Sequence, residues 1–397
     1  MDSAEREGLR PKGNVPNLRF KEFQGEWEKC KLSEICTFFS GGTPSSSNKD
    51  FYGGNIAFIR SGELHADSTE LFITQAGFDS SSAKMVEVGD LLLAMYGATS
   101  GDIAVSKIKG AINQAILCIR TKQNKKFIES VWNKHVSKNL RKYLQGGQGN
   151  LSADIVKGIS FFFPTLKEQE KIANLVSLLD ERIATQNKII DKLQSLIKGI
   201  NQRVFMNNGI NYKLGEICEI RSGYSGNQLL SKKGLKVSRI ETISGHKVNI
   251  ERVGYVAPFE SSDNYRLRVG DILFSNINSV EYIGNTAFID KDYDLYHGMN
   301  LLRLIPNNMV VIPFYLYLLL NTNRMLNRFK TVCNKAVSQA SINQTELGKT
   351  VVQIPDINAQ KQICELYQAL YDKLESEKYA NSLFQKQKQY LLRQMFI

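Results

Sequence analysis

The chain writes nearly the same line twice, and that constrains its fold more than any other feature. KLSEICTFFSG, from Lys31 to Gly41, recurs as KLGEICEIRSG, from Lys213 to Gly223, with seven identities in eleven positions at an offset of 182. Such self-similarity marks two copies of one structural unit and is to be settled before anything else. The repeat continues. VGDLLLAM at Val88–Met95 answers VGDILFSN at Val269–Asn276, and GDIAV from Gly101 answers GNTAF from Gly284. At a steady offset of 191, Pro164, Gln169, Ile172, Leu179 and Phe205 face Pro355, Gln360, Ile363, Leu370 and Phe396. Identity gathers at the ends of each copy, while the middles differ. One framework therefore carries two different contents.

Within each copy two kinds of segment alternate. Residues 20–163 hold short apolar or alternating runs bounded by Gly, Ser and Asn, such as NIAFIRS, DLLLAMYG and AILCIRT, which predict strands joined by turns. One helix is predicted near Phe127–Leu144, with a counterpart near Pro313–Phe329, where Pro313 suits a first helical turn. After Pro164 the character changes. Ile172, Val176, Leu179, Ile183, Ile190, Leu193, Ile197, Ile200 and Val204 follow steps of four and three, a heptad seam with Gln186 as its polar intrusion. A helix of this length spans about 60 Å. The second copy keeps part of the seam in Ile363, Tyr367, Leu370, Leu374, Phe384, Leu391 and Met395, interrupted by Glu377, Asn381 and Lys388. A helix so apolar along one side must bury it. A rod this long overhangs a domain of some 150 residues, so the two helices are expected to pair with each other as an antiparallel coiled coil.

Composition narrows the function. A net charge of +12 points to a polyanionic partner, most often nucleic acid. The first twenty residues carry no apolar run, and the longest apolar block, Phe314–Leu320, is too short to span a bilayer. The six cysteines form no C-x-x-C pair, which argues against a zinc site and for a reducing, cytoplasmic compartment. The eight prolines include no adjacent pair, so the Pro-Pro-aromatic motif of an adenine methyltransferase is lacking. Gly348–Thr350 reads GKT, yet Asn343 stands where a phosphate loop needs glycine. His65, His135, His246 and His297 have neither metal nor triad spacing. No catalytic or metal-ligating residue is assigned.

The order of these parts, with the KLxEI…SG entry, the P…EQxKIAxxL helix start and the opening PNLRFKEFQGEW, resembles the specificity subunit of type I restriction–modification enzymes over Val15–Ile397. The leader Met1–Asn14 falls outside the resemblance. The resemblance implies an α+β fold: two similar β-rich target-recognition domains separated by two long helices that pair as an antiparallel coiled coil. The expected divisions are a leader at 1–19, a first recognition domain at 20–165, a spacer helix at 166–208, a second recognition domain at 209–356 and a second helix at 357–397. It further implies that each domain reads one half of a bipartite, asymmetric sequence in double-stranded DNA. The helices would set the spacing and bind two methyltransferase (modification) subunits. S-adenosylmethionine would sit on those partners, and ATP and magnesium on restriction (motor and nuclease) subunits, with no cofactor on this chain.

Phosphate contacts need basic side chains. The DNA-binding candidates in the first domain are Lys49, Arg60, Lys84, Lys107 and Lys109, with Lys138, Arg141 and Lys142 on its helix. In the second they are Lys232, Lys233, Lys236, Arg239, Arg266, Arg268, Arg328 and Lys330; SKKGLKVSR is the densest run. The polar loop Gly146–Asn150 suits close approach to phosphates. Two other classes remain open at this level: a stand-alone enzyme acting on DNA, and a coiled-coil scaffold without a DNA role.

Overall fold

Each repeated motif has the same structural job in both copies. The computed structural model describes residues 13–143, 151–205, 209–335 and 339–397, apart from the side chains of 137–143 and Gln202. The chain divides into two compact units, residues 1–187 with 379–397, and residues 188–378.

In unit 1 a four-stranded antiparallel sheet runs in the order Cys36–Ser40, Ile116–Thr121, Leu91–Ala94, Ile103–Val105. Unit 2 repeats this order with Cys218–Ser222, Leu301–Pro306, Ile272–Ser275 and Thr286–Phe288. The two ends of each β-rich region are tied by a strand pair, Glu28–Lys31 with Ser160–Phe163 and Ile210–Lys213 with Val351–Ile354. The remaining strands differ. Unit 1 has a second four-stranded sheet, whereas unit 2 has a two-stranded and a three-stranded one.

The motifs explain the shared frame. In KLxEI, Glu34 accepts the Lys31 N–H at 2.8 Å and Glu216 the Lys213 N–H at 2.7 Å, while Leu32 and Leu214 are fully buried. The SG glycine lies against a neighbouring backbone carbonyl. A Cβ on Gly41 would fall 1.8 Å from the Ile112 carbonyl oxygen, and one on Gly223 1.9 Å from that of Gly298, so no larger residue fits. In VGD the glycines adopt positive φ, 90° at Gly89 and 99° at Gly270, which glycine alone adopts without strain. Asp90 then accepts the Glu87 N–H and pairs with Arg120 at 2.7 Å; Asp271 accepts the Arg268 N–H and pairs with Arg303 at 2.6 Å. Burial pushes the Asp271 carboxyl above its ordinary range in spite of Arg303. At Asp90 burial acts the same way but is outweighed by Arg120, the Glu87 N–H and Lys125.

The Pro…Gln motif is a clip. Gln169 donates to the Pro164 carbonyl at 2.9 Å and to Gln123, and accepts the Asn124 N–H at 3.1 Å. Gln360 donates to the Pro355 carbonyl at 2.8 Å and to that of Val310, and accepts the Ile312 N–H at 2.8 Å. Both amides are buried, and leaving such groups unpaired would cost about 1–3 kcal/mol each. The clip holds the start of each long helix to the segment that opens Lys125–Tyr143 in unit 1 and Pro313–Leu320 in unit 2.

The long helices are Leu166–Val204 and Ile357–Gln394. Within unit 1 they run antiparallel: Asp180 meets Lys388 at 2.5 Å, Arg182 lies over the Phe384 ring, and Asn381 donates to Asn187 at 2.8 Å. Within unit 2, Tyr367 donates to Asn201 at 3.1 Å, and Ile190, Leu193 and Ile197 share a core with Ile363, Leu370 and Leu374. Two of the polar interruptions of the second seam, Asn381 and Lys388, thus find polar partners on the first helix. Glu377 pairs along its own helix with Lys373. The seam also serves the β-rich regions: Ile172 belongs to the core of unit 1, with Leu391 packed against it. Val176 and Leu179 are buried and Ile183 is half-buried.

One expectation is corrected. The helix predicted over Pro313–Phe329 is two helices, Pro313–Leu320 and Asn323–Val332. Thr322 accepts the Met325 N–H and caps the second, while the Asn321 amide bonds to Thr286. The capping hydroxyl outcompetes continuation of the first helix. The helix expected near Phe127–Leu144 spans Lys125–Tyr143.

Candidate nucleic-acid interface

The candidate cations fall into separate groups, and the frame decides which. In unit 1 the strand Tyr52–Ile59 runs parallel to Gly110–Ile112, and Lys84 stands opposite Ile112. Arg60, which follows Ile59, and Lys84 therefore flank the same strand end. Gly41 rests on that end, and Thr43 donates to Gln114 just beyond it. Lys49 is exposed at the short helical turn that follows the Gly41–Asn48 loop.

Unit 2 builds the equivalent junction from other residues. The strand Leu235–Val237 makes a parallel bridge from Val237 to Tyr296, and Arg266 bridges the other side of Tyr296. Gly223 rests on the Gly298 carbonyl. Arg239 occupies the place of Arg60. Each arginine ends a strand and opens a short helical turn, and each N–H is accepted by the side chain three residues on, Glu63 at 3.0 Å and Thr242 at 2.8 Å. Both arginines stand among the sequence candidates, but their equivalence is visible only here. Lys232 and Lys233 are exposed beside the strand that carries Lys236, and Arg268 is exposed two residues after Arg266.

Several of the candidates are already paired with carboxylates. Lys107 pairs with Asp67 at 2.7 Å, Lys109 with Glu87 at 3.0 Å, Arg60 with Glu63 at 2.7 Å, and Arg266 with Asp292 at 3.0 Å. The Lys107, Lys109 and Arg266 pairs are exposed and worth about 0–1 kcal/mol, so a phosphate can replace the carboxylate at little cost, whereas Glu63 is largely buried and also accepts from the Arg60 N–H and Thr69. Arg328 and Lys330 lie on the helix Asn323–Val332, apart from the Arg239 junction; Arg328 donates to the Val351 carbonyl. Lys138, Arg141 and Lys142 lie on Lys125–Tyr143 with side chains outside the described residues, as does the whole Gly146–Asn150 loop.

Sequence reasoning missed groups suited to base edges. Arg221, Ser222, Asn264 and Gln344 line a hollow of about 580 Å³ in unit 2, beside Tyr265 and His297. Gln344 is oriented by donating to the Ile220 carbonyl at 2.7 Å. Next to it Tyr224 and Phe259 stack at 3.8 Å between ring centroids, with Tyr265 edge-on to both. The available signal was the run SGYSGN directly after the repeated framework. His297 is no candidate base: it is buried, donates to the Leu301 carbonyl, and burial holds it down at about 4. Among the described residues no cluster of His, Cys, Asp and Glu could hold a metal ion, and no helix is long and apolar enough to cross a membrane.

The family described as type I restriction modification DNA specificity domain matches residues 24–195 and again 209–382. The MjaX specificity subunit of Methanocaldococcus jannaschii is 44% identical over a stretch that covers 39% of this chain and 37% of that relative. The MjaVIII specificity subunit of the same organism is 22% identical over 94% of both chains. The crystal structure of a type I restriction–modification S subunit from M. genitalium superposes with a TM-score of 0.62 at 16% identity, covering 96% of this chain and 99% of that one, which shows a common fold. The chain belongs to the family of type I restriction–modification specificity subunits, a non-catalytic class, and carries its DNA specificity domain twice.

Proposed function

We propose that the chain reads a bipartite, asymmetric sequence in double-stranded DNA, one half with each β-rich region, and that its paired helices fix the distance between the halves. The observation that carries this reading is the duplicated junction. The same frame, Gly41 with Arg60 and Gly223 with Arg239, is surrounded by unlike residues, as two readers of unlike half-sites require. The basic run Lys232–Arg239 supplies phosphate contacts, and the amides and guanidinium around Gln344 supply hydrogen bonds of the type used on base edges.

The helices also offer a docking surface. Leu178, Tyr379, Leu383 and Tyr390 in unit 1, and Ile189, Leu196 and Leu366 in unit 2, are apolar and exposed on the long helices. Repeated apolar exposure along such helices suits protein partners. The partners are two methyltransferase subunits carrying S-adenosylmethionine, joined by restriction subunits that use ATP and magnesium. The complex works where DNA does, in the cytoplasm. Exchanging residues 36–121 for those of a relative with another target leaves Trp27, Phe127 and Phe396 in place and tests the reading. Methylation mapping should show one half of the target changed and the other kept. If both halves change together, the two-reader reading is wrong.

A further inference from the structure

The frame fixes one further position, and the two units fill it differently. In unit 1 the Leu151 N–H donates to the Met95 carbonyl at 2.8 Å. Ser152 then caps the short helix Ala153–Gly158 by accepting the Ile155 N–H, and the Ile159 carbonyl accepts the Leu32 N–H at 2.9 Å. Each of these bonds recurs in unit 2. The Ile342 N–H donates to the Asn276 carbonyl at 2.9 Å, Asn343 caps Gln344–Gly348 by accepting the Glu346 N–H, and the Thr350 carbonyl accepts the Leu214 N–H at 2.9 Å. Each short helix packs on the entry helix of its own unit, Leu32–Ile35 or Leu214–Ile217. Backbone bonds and a cap therefore place the first residue of the short helix, whatever its side chain. Unit 1 has Ala153 there and unit 2 has Gln344.

Gln344 is exposed, yet its amide is oriented. Nε2 donates to the Ile220 carbonyl at 2.7 Å, on the edge strand Cys218–Ser222 of the four-stranded sheet. That bond decides which end of the amide is nitrogen. Nε2 keeps its second hydrogen. Oε1 has two lone pairs, and the Ser222 hydroxyl, 3.5 Å away, takes at most one of them. One N–H and one carbonyl lone pair thus stand side by side with their order set. Ser222 immediately precedes Gly223, so this amide borders the junction of unit 2.

We propose that Gln344 reads one adenine in the half-site of the second β-rich region. The contact rests on the DNA reading proposed above and names its base. A donor and an acceptor side by side match adenine in the major groove, which presents the N6 donor beside the N7 acceptor. Guanine presents two acceptors there, so Oε1 would face a lone pair. Cytosine presents only a donor and thymine only an acceptor, and each satisfies half of the amide. Because the Ile220 carbonyl already holds the side chain, less rotamer freedom is lost on contact than for an unheld glutamine. Ala153 carries no polar group, so this contact belongs to one half-site and not to the other.

The test uses the full chain assembled with its methyltransferase partners. The half of the target that is kept when residues 36–121 are exchanged is the half-site of the second region. Competition binding then follows duplexes in which each base pair of that half is replaced in turn. At one A·T position Gln344→Ala should lose about tenfold or more of the discrimination against other bases, the scale of one bidentate pair, with every other position unchanged. Replacing that adenine by 7-deaza-adenine, which lacks the N7 acceptor, should weaken binding by the parent and not by Gln344→Ala. A purely structural role for Gln344 would not give that coupling. Gln344→Glu, which has acceptors only, should turn the preference there from adenine towards cytosine. Thermal melting checks that both variants, changed at an exposed residue, keep their fold. If Gln344→Ala alters no position, or alters the other half-site, or if 7-deaza-adenine weakens both proteins equally, the proposal is overturned while the two-reader reading stands. A parent target without separable halves overturns both.

Discussion

Phe396→Ala should loosen unit 1, although Phe396 is the penultimate residue of a chain whose last helix starts in unit 2. Its ring is 3% exposed and packs on Trp27 and Phe127. Around it the backbone is pinned: the Ile397 carbonyl accepts from His135 at 2.9 Å, and the Phe396 carbonyl from Lys134. Removing a buried phenyl ring costs about 3–5 kcal/mol, from lost transfer energy plus the cavity left behind. Phe205, its counterpart, is only half-buried, so Phe205→Ala should cost less, about 2 kcal/mol. Hydrogen exchange followed by mass spectrometry resolves the two units. A loss of about 3 kcal/mol raises exchange through unfolding of the affected unit by roughly a hundredfold. For Phe396→Ala the rise should appear in peptides covering 91–132 and not in those covering 272–320; Phe205→Ala should do the reverse. If Phe396→Ala instead accelerates exchange in 272–320, or leaves 91–132 unchanged, the assignment of the chain end to the first core is refuted.

Three further outcomes are expected. Lys232→Ala/Lys233→Ala/Lys236→Ala should flatten the log–log salt dependence of DNA binding by up to about three without changing the preferred sequence; an unchanged slope removes this run from the interface. The Asn201–Tyr367 pairing places Lys378 opposite Ile190, so adding seven residues after each should keep the seam in phase. That lengthens the helices by roughly 10 Å, about three base pairs, and graded-spacer methylation assays should show a longer preferred gap; an unaltered gap means the helices are not the ruler. His297 is held neutral by burial, at about 4 against the usual 6.5. Its stabilisation is therefore complete above about pH 6.5 and declines as pH falls towards 4, by on the order of 3 kcal/mol. Urea melts of His297→Gln should show lower stability at pH 7 but a flatter acid slope, and an unaltered slope would assign the acid loss to other groups.

The residues that recur are those whose job is set by backbone geometry, which is why they were legible. Gly41 and Gly223 recur because a carbonyl lies where a Cβ would be. Gln169 and Gln360 recur because each bonds its Pro164 or Pro355 carbonyl and one N–H with a single amide. The heptad steps were legible because period reports which side of a helix is apolar. Base-facing groups were not, because Asn264 and Gln344 are distant in sequence and come together only across the hollow. Nor was the break at Asn321–Thr322, where the Thr322 cap and a bond from Asn321 to Thr286, 35 residues away, outweigh an apolar pattern compatible with one helix.

The sequence by itself determined a duplicated β-rich frame, two long seamed helices and a basic chain without catalytic motifs. Tertiary structure alone decided what covers each seam. The polar positions Asn381 and Lys388 look like flaws along the second helix, yet they meet Asn187 and Asp180 across the pair. Periodicity names a buried face but not its neighbour, and the neighbour fixes whether a polar group is satisfied. The same holds for Trp27 and Gly209. Their alignment is plain in the sequence, but that Trp27 is covered by Phe127 and Phe396 while Gly209 lies against the Ile354 carbonyl depends on segments far apart in the sequence closing together.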